Sequence, residues 1–218
     1  MGSPEPDRAL LDEQIAYYRA IAGAYETYGV EGFPEQEVAR VLDELRPYGD
    51  VLELACGPGH WTELLLRHAT RLTAVDASPE MLARAAARAG AERARFVQGD
   101  LFSWQPGEER HDLVFFGFWL SHVPMPRFDG FWQMVARCLR PGGRVCFVDD
   151  NLRTPDELVE GEASATIQRR LHDGTTHRAV KVPHQPEELE QRLRGIGWDV
   201  EVGARGPFYW GVGKPGRR

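Results

Sequence analysis

The stretch Asp50-Val51-Leu52-Glu53-Leu54-Ala55-Cys56-Gly57-Pro58-Gly59-His60-Trp61-Thr62 indicates a strand, a tight turn and the start of a helix. Residues 51–54 form a short apolar run that is typical of a buried strand. The small residues Ala55, Gly57 and Gly59 allow the backbone to turn sharply and to approach a ligand closely. This segment therefore predicts a ligand-binding turn at the end of a strand.

A lone carboxylate closes the next apolar run. Thr73-Ala74-Val75 ends in Asp76, seventeen residues after Gly59. An acidic side chain at about this distance past a glycine-rich turn can bind the vicinal hydroxyls of a ribose. The dinucleotide pattern G-x-G-x-x-G is not met, because Trp61 stands near the place of the third glycine, and no Lys-Ser or Lys-Thr pair makes a P-loop. The sequence predicts a nucleoside cofactor of another kind.

Five segments, in order, resemble the class I S-adenosylmethionine-dependent methyltransferases over roughly residues 15–150. The first is the glycine turn, in which Ala55 replaces the first glycine of the family's motif. The others are the following, in chain order: Val75-Asp76-Ala77-Ser78-Pro79-Glu80-Met81-Leu82; Phe96-Val97-Gln98-Gly99-Asp100-Leu101; His111 to Val123; and Leu139-Arg140-Pro141-Gly142-Gly143-Arg144-Val145.

The resemblance implies S-adenosylmethionine as the cofactor and assigns residues to it. Asp76 would bind the ribose hydroxyls, Asp100 the adenine amino group, and the backbone N–H of Leu101 the adenine ring. Glu53 would approach the methionine amino group, and an amino-terminal tyrosine would reach the cofactor's carboxylate. The full set of expected cofactor-binding residues is Tyr18, Tyr25, Glu53, Ala55, Gly57, Gly59, His60, Asp76, Ala77, Met81, Asp100, Leu101 and Phe116.

Hydrophobic periodicity predicts alternating strands and helices. Strands are expected near residues 51–54, 72–75, 95–98, 112–116 and 144–148, with helices near 61–68, 79–89 and 128–139. Ser78 is expected to cap the second of these helices, and Pro79 to lie in its first turn. Apolar strands that alternate with helices indicate a parallel sheet covered on both faces. The predicted fold is an α/β, Rossmann-like, doubly wound, mostly parallel seven-stranded sheet with an antiparallel C-terminal edge hairpin and an N-terminal helical cap.

The chain is expected to form a single methyltransferase domain. Helices are predicted over 10–25, 34–45 and 186–196, and edge strands over 198–204 and 207–213. The predicted divisions are a flexible arm over 1–14 and the domain over 15–214, which comprises a helical cap (15–47), a cofactor-binding core (48–150), an inserted hairpin (151–183) and a final helix with edge strands (184–214).

The inserted segment has a hairpin signal of its own. Residues 166–171 and 176–182 flank His172-Asp173-Gly174-Thr175, and Asp-Gly between two such runs is typical of a hairpin turn. Because the insertion follows the fifth strand, the hairpin is expected at the sheet edge that binds the cofactor. It could be a surface hairpin, a wall of the substrate pocket or a dimer contact.

Composition restricts the function classes. Of the 218 residues, 42% are hydrophobic and 27% charged, and the net charge is −7, which argues against a nucleic-acid substrate. No apolar run approaches the roughly 20 residues of a membrane span, and no basic-then-apolar leader is visible. We therefore expect a cytoplasmic enzyme with no membrane partner, as a monomer or a homodimer. The three cysteines are expected to be buried free thiols.

Methyl transfer needs few catalytic groups, since positioning supplies much of the rate and a base is needed only for an acceptor that keeps its proton. His122, just past the fourth strand, is the candidate base or else a residue that shapes the loop. Four further histidines, at positions 111, 172, 177 and 184, are expected at the surface, and His60 beside the glycine turn is expected to be a neighbour of the cofactor. The expected substrate-binding residues are Phe118, Trp119, His122 and Tyr28, which suit an apolar or aromatic small molecule.

A metal ion is not expected. Asp149-Asp150-Asn151 resembles part of the Mg²⁺ site of catechol O-methyltransferases, but Gly117 stands in the region where those enzymes place another chelating Asp. The aspartates could instead contact the acceptor or cap the turn.

Three functions remain open from the sequence. The first is transfer of a methyl group to the oxygen or nitrogen of a small acceptor. The second is other chemistry by an S-adenosylmethionine-binding enzyme on the same scaffold. The third is a nucleotide-binding regulatory or NAD-dependent module, against which the Ala-Cys-Gly-Pro-Gly turn argues.

Overall fold

The computed structural model describes residues 8–28, 42–43, 48–88, 90–159, 161 and 164–216. The α-helices whose two ends lie in this part of the chain are α1 (Arg8–Ile21), α2 (His60–Leu65), α3 (Pro79–Ala86), α4 (Phe128–Cys138) and α5 (Pro186–Gly195). The strands are β1 (Asp50–Leu54), β2 (Arg71–Asp76), β3 (Ala94–Gln98), β4 (His111–Gly117), β5 (Leu139–Asp150), β6 (Thr166–Arg170), β7 (Thr176–Val180), β8 (Trp198–Arg205) and β9 (Phe208–Pro215).

The main sheet has seven strands in the order β3-β2-β1-β4-β5-β9-β8. The five strands from β3 to β5 pair in parallel, and β9 and β8 add an antiparallel edge. The strand order reverses between β1 and β4, and a doubly wound sheet of this kind binds ligands outside the carboxyl ends of its strands at that point. The predicted fold class is confirmed.

The alternation of side chains along β1 divides the core into two layers. Leu52 and Leu54 belong to one buried cluster with Trp132 of α4, whereas Val51 belongs to a second cluster with Leu65 of α2. Helices therefore cover both faces of the sheet, which explains why its strands are apolar on both sides. The carboxyl ends of β1, β2 and β4 are held in fixed register by this packing.

Local sequence signals fix the helix ends near the site. The Ser78 hydroxyl accepts a hydrogen bond from the Met81 amide at 3.1 Å, with Pro79 in the first turn of α3, as predicted. At the other side of the sheet, Gly197 has φ of 91° just after α5, which is the backbone that ends a helix. Both signals were readable from the sequence because they depend on neighbouring residues only.

A charged cluster ties the strands together at the sheet edge opposite the predicted cofactor site. Asp50 forms ion pairs with Arg71 and Arg140, and Arg140 also binds Asp112 at 2.7 Å. The Asp50 amide donates to Asp112 Oδ2 at 2.8 Å. Arg71, with Arg140, holds the pKa of the Asp50 carboxyl well below its usual range, against the effect of burial.

The inserted strands β6 and β7 form a separate antiparallel pair that α1 covers. Gln14 Oε1 accepts from the Val180 amide at 2.9 Å, and Glu13 accepts from the Arg178 amide and guanidinium at 2.7 and 2.9 Å. Leu11 is fully buried against Val180. The hairpin predicted over 166–182 is confirmed, and it is bound firmly to the amino-terminal helix.

The structure corrects two expectations, and a third lies mostly outside the described residues. The flexible arm predicted over 1–14 is too long, because α1 begins at Arg8 and buries Leu11 and Gln14. His111 and His184 are buried rather than at the surface, and burial lowers the pKa of both, to about 4 for His184. The helix predicted over 34–45 lies outside the described residues except at 42–43, which are helical.

Cys56, Cys138 and Cys146 are buried free thiols. None of the helices in the described ranges combines the length and apolarity that crossing a membrane requires.

Candidate active site

The turn after β1 has a left-handed backbone at three small residues. φ is 53° at Ala55, 52° at Gly57 and 86° at Gly59, values that favour glycine and strain larger side chains. A Cβ at Gly59 would lie 2.9 Å from Ala85 of α3, whereas one at Gly57 would meet no atom within 4 Å. Gly59 thus lets the turn pack on α3, and Gly57 borders open space where a ligand can reach the backbone.

Asp76, at the end of β2, links this turn to the next one. Its Oδ2 accepts from the Gly57 amide and its Oδ1 from the Ser78 amide, each at 2.8 Å. Burial raises the pKa of Asp76, and these backbone hydrogen bonds oppose the rise. Ala77 follows in the same turn and is half-buried. A carboxylate can accept about four hydrogen bonds, and the Gly57, Ser78 and Ala77 amides account for three, so Asp76 can still bind a ligand hydroxyl.

Glu53 is a buried carboxylate with one unpaired oxygen. Its Oε2 accepts from the Thr62 hydroxyl at 2.6 Å, while Oε1 has no partner among the described residues. Burial raises the pKa of Glu53 to about 8. Because an unpaired buried carboxylate oxygen is costly, this atom is well suited to a cationic N–H donor on a ligand.

Asp100 follows β3, which is paired in parallel with β2. Its Oδ1 accepts from the Phe102 amide and its Oδ2 from Arg8 Nη1 of α1, each at 3.0 Å. The Leu101 side chain is buried in the core beside it. The parallel register therefore brings Asp76 and Asp100 to the same edge of the sheet, as the sequence predicts.

The segment after α1 lies over the glycine turn. The ring of Tyr25 is 6.1 Å from that of His60, and burial raises the pKa of Tyr25 to about 12, with a further contribution from the charge of Asp76. Met81 of α3 is buried in the same cluster. The structure brings these predicted residues together. The side chain of Tyr28 lies outside the described part of the chain.

His122 is held between two segments that are distant in sequence. Its Nε2 is 2.8 Å from the Tyr18 hydroxyl of α1, and its Nδ1 is 2.5 Å from the Val180 carbonyl oxygen of β7. Burial lowers the pKa of His122 to about 3, and the charge of Lys181 lowers it further. The imidazole is therefore neutral at ordinary pH, and both of its nitrogens are occupied.

Two aromatic residues of the β4 end pack into the protein. Phe116 is fully buried, with its ring stacked on Phe147 at 5.5 Å, so its side chain lies in the core rather than at the cofactor edge. Phe118 has φ of 55°, and its amide donates to the Val148 carbonyl at 2.7 Å. Its ring is 6.0 Å from Trp61. We leave the Phe116 side chain out of the site proposed below.

Trp119 lies closer to the predicted acceptor side. Its ring centroid is 5.4 Å from Phe102 and 6.5 Å from His122. The indole Nε1–H is buried and has no hydrogen-bond partner in the described residues. A donor of this kind is available to an oxygen of a bound acceptor.

A buried lysine that sequence reasoning missed joins the hairpin to the sheet. Lys181 Nζ is 3.0 Å from Asp150 Oδ1, 3.6 Å from Asp149 Oδ1 and 3.1 Å from Ser121 Oγ. Asp149 also accepts from the Ser121 amide at 2.8 Å, and Asp150 from the Leu152 amide at 2.7 Å. These aspartates hold loops, as one of the sequence alternatives proposed. The available signal was a single lysine between two valines in a predicted strand.

Arg169 is a second cation that the sequence analysis did not select. It lies two residues after the fully buried Ile167 and so shares a face of β6 with it, and its Nη1 pairs with Glu157 at 3.0 Å. Burial is the main influence on the pKa of Tyr18, Tyr25 and His122, raising it for the tyrosines and lowering it for the histidine, and the charge of Arg169 is a smaller influence that lowers all three. Its positive field therefore reaches the space around these residues.

Gly117 has no room for a metal-binding side chain. A Cβ there would lie 2.4 Å from Trp61 Nε1, so an Asp at this position would require the indole to move. Across the described ranges, no group of three or more His, Cys, Asp or Glu side chains is arranged to hold a metal ion.

Comparisons with known proteins identify the family. Residues 51–143 match the model of the methyltransferase domain. The structure superposes on the DhpI–SAH complex with a TM-score of 0.83 at 39% identity, covering 98% of this chain and 100% of that one. The DhpI–SAM–HEP complex gives 0.84 at 38% identity, with 97% and 100% coverage.

A curated relative is named trans-aconitate 2-methyltransferase, from Streptomyces avermitilis. It is 32% identical over 176 residues, which are 76% of this chain and 63% of the relative. The chain thus spans less than two thirds of that relative's length. Together with the full-length similarity to a protein solved with S-adenosylmethionine and its product, these matches show that the chain belongs to the class I S-adenosylmethionine-dependent methyltransferases.

Proposed function

We propose that this chain binds S-adenosylmethionine at the carboxyl ends of β1, β2 and β3 and transfers its methyl group to a small organic acceptor. The observation that carries the proposal is the buried, unpaired Oε1 of Glu53 beside the glycine turn. In this assignment Glu53 accepts from the methionine ammonium, Asp76 binds the ribose hydroxyls and Asp100 binds the adenine amino group. The complexes of the related DhpI with SAM and SAH support the choice of cofactor.

The rest of the proposed cofactor site surrounds these three carboxylates. The turn contributes backbone through its small residues, and the amino-terminal segment and α3 contribute side chains above it. The proposed members are Tyr18, Tyr25, Ala55, Gly57, Gly59, His60, Ala77, Met81 and Leu101.

The chemistry requires little from the protein beyond orientation. The cofactor supplies a methyl group on a positively charged sulfur, which is a good leaving group. The residues of the chain then have to hold the acceptor in line with the bond that breaks, and to exclude water from it. A general base is required only if the acceptor atom carries a proton when it binds.

The acceptor is proposed to be a small organic acid that is methylated on an anionic oxygen. The rings of Tyr18 and Trp119 suit the apolar or aromatic acceptor expected from the sequence, but the positive field of Arg169 favours an anion. Lys181 is buried between two carboxylates, Asp149 and Asp150, whereas Arg169 pairs with one carboxylate, Glu157, through Nη1 and is half-buried, so Arg169 is the cation that we assign to the acceptor. The name of the relative, trans-aconitate 2-methyltransferase, refers to an acid anion and supports this choice.

The proposal is tested by turnover with matched acceptors. The chain is incubated with S-adenosylmethionine and with small carboxylic acids, their primary amides, phenols and amines, and mass spectrometry measures S-adenosylhomocysteine and the methylated product. We expect product from acids. Product from phenols or amines alone would favour the aromatic or nitrogen acceptor, and consumption of S-adenosylmethionine without S-adenosylhomocysteine would favour other chemistry on this scaffold.

A pair of variants tests the role of Arg169. Arg169→Gln should raise KM for acids by about tenfold or more, the effect of losing a charged hydrogen bond of about 1.5–3 kcal/mol. The control is Arg170→Gln, because Arg170 is the next residue along β6 and is exposed. Equal KM values in the two variants would remove Arg169 from the acceptor site.

A further inference from the structure

Hydrogen-bond chemistry fixes the proton positions around His122. The Val180 carbonyl can only accept, so the Nδ1 that lies 2.5 Å from it must carry the hydrogen. In the neutral imidazole Nε2 is then a bare acceptor. The Tyr18 hydroxyl, 2.8 Å from Nε2, must therefore donate its hydrogen to it.

The charges around this pair keep both side chains neutral. Burial lowers the pKa of His122 to about 3 and raises that of Tyr18 well above its usual value. The charged and titratable groups that act on the pair from the surrounding elements are Tyr17, Tyr25, Asp149, Arg169 and Lys181. A proton moved onto His122 would lie near two cations, so His122 is unsuited to the role of general base.

Tyr18 lies between the two halves of the site. Through α1 and the following segment it shares a cluster with Tyr25 and Met81, which lie over the glycine turn. Its hydroxyl meets His122 on the acceptor side, and the other nitrogen of His122 bonds to Val180 at the end of β7. A group that passes from cofactor to acceptor has to cross the boundary on which this oxygen lies.

Resting on the proposed function, we infer that His122 is a positioning residue for Tyr18. Its Nε2 accepts the hydrogen bond of the Tyr18 hydroxyl, so that the lone pairs of the Tyr18 oxygen face the positively charged methyl–sulfonium end of the cofactor. An oxygen that presents only lone pairs favours a cation and a positively polarised methyl group over a neutral thioether. It cannot at the same time donate to the cofactor's carboxylate. The pair therefore favours S-adenosylmethionine over S-adenosylhomocysteine.

The test is the ratio of dissociation constants for the two ligands, measured by calorimetry. Tyr18→Phe should weaken S-adenosylmethionine binding about three- to tenfold and change S-adenosylhomocysteine binding less than twofold. His122→Leu should give the same ratio as Tyr18→Phe. His122→Gln should bring the ratio most of the way back to the wild-type value, because the Gln amide oxygen can accept the Tyr18 hydrogen. The double variant with Tyr18→Phe and His122→Leu should have the same ratio as Tyr18→Phe alone. Tyr17→Phe, a substitution in the adjacent tyrosine, is the control and should leave the ratio unchanged.

Nitrogen NMR of labelled histidine gives a second readout. In the wild type we expect one protonated and one unprotonated nitrogen for His122, unchanged between pH 6 and 9. An unchanged ligand ratio in Tyr18→Phe would overturn the inference, and this variant decides the matter even if His122→Leu does not fold. A His122 that titrates near neutral pH while kcat follows it would also overturn the inference, by making His122 the base. If the wild type binds neither ligand, the proposed function fails instead.

Discussion

Replacing Glu53 by Gln should change how stability depends on pH. In the folded chain the pKa of Glu53 is raised to about 8 from 4.5, chiefly by burial. Between these values the folded state holds a proton that the unfolded state lacks, so the free energy of unfolding falls as pH rises. The full shift corresponds to at most about 5 kcal/mol, or up to about 1.4 kcal/mol per pH unit inside the window. Gln keeps an oxygen for the Thr62 hydroxyl but does not ionise.

Chemical denaturation at pH 6 and pH 8 measures the effect. Between pH 6 and pH 8 the free energy of unfolding of the wild type should fall by about 2 kcal/mol relative to that of Glu53→Gln. The fall is smaller than the full slope over two pH units would give, because Glu53 of the folded chain is already partly ionised near pH 8. Glu187→Gln is the matched control, since Glu187 is an exposed carboxylate in the first turn of α5. Parallel pH profiles for the wild type and Glu53→Gln would refute the burial argument.

The same variant separates stability from binding. A cationic ammonium beside Oε1 would lower the pKa of Glu53, so binding of S-adenosylmethionine to the wild type should tighten from pH 6 to pH 8. Glu53→Gln should lose that dependence and roughly 1–3 kcal/mol of binding free energy. If the variant loses the stability slope but binds the cofactor as well as the wild type, Glu53 is buried without being the ammonium partner.

Four further outcomes are expected. Asp76→Ala should weaken S-adenosylmethionine binding by roughly 1–3 kcal/mol, and a wild-type affinity by calorimetry would place the ribose contact elsewhere. Arg140→Met should lower the midpoint of unfolding in denaturant titrations through loss of its pairs with Asp50 and Asp112, and high salt should reduce the difference. Gly117→Ala should cost about 1–3 kcal/mol, because its Cβ would lie 2.4 Å from Trp61 Nε1, and an unchanged Tm would contradict this packing. Turnover should persist in excess EDTA, since a Cβ at Gly117 would already meet Trp61 and leaves no room for a chelating Asp, and loss of activity that Mg²⁺ restores would reverse that expectation.

The parts of the fold that were predictable depend on neighbouring residues. The central strands are continuous apolar runs, and the Ser78 cap and the Asp173-Gly174 turn are signals of a few residues each. A helix was predicted from residue 10, but the burial of Leu11 and Gln14 was not predictable, because it depends on a hairpin some 165 residues away in the sequence. The burial of a single histidine was also not predictable from its neighbours in the sequence. For His184 it depends on packing against Phe128 and Tyr209.

The cofactor side and the acceptor side of the site differ in how far the sequence predicts them, and the difference has a functional consequence. Glu53, Asp76 and Asp100 lie at or just past the carboxyl ends of three adjacent parallel strands, so the meeting of their carboxylates follows from the fold class. The acceptor side joins Tyr18, His122 and Val180, which are separated by 104 and 58 residues and meet only because α1 packs on the inserted hairpin. Changes in α1 or the hairpin can therefore alter the acceptor while the cofactor carboxylates keep their strand register. A core motif can predict the cofactor of such an enzyme, whereas its acceptor has to be inferred from the segments that cover the core.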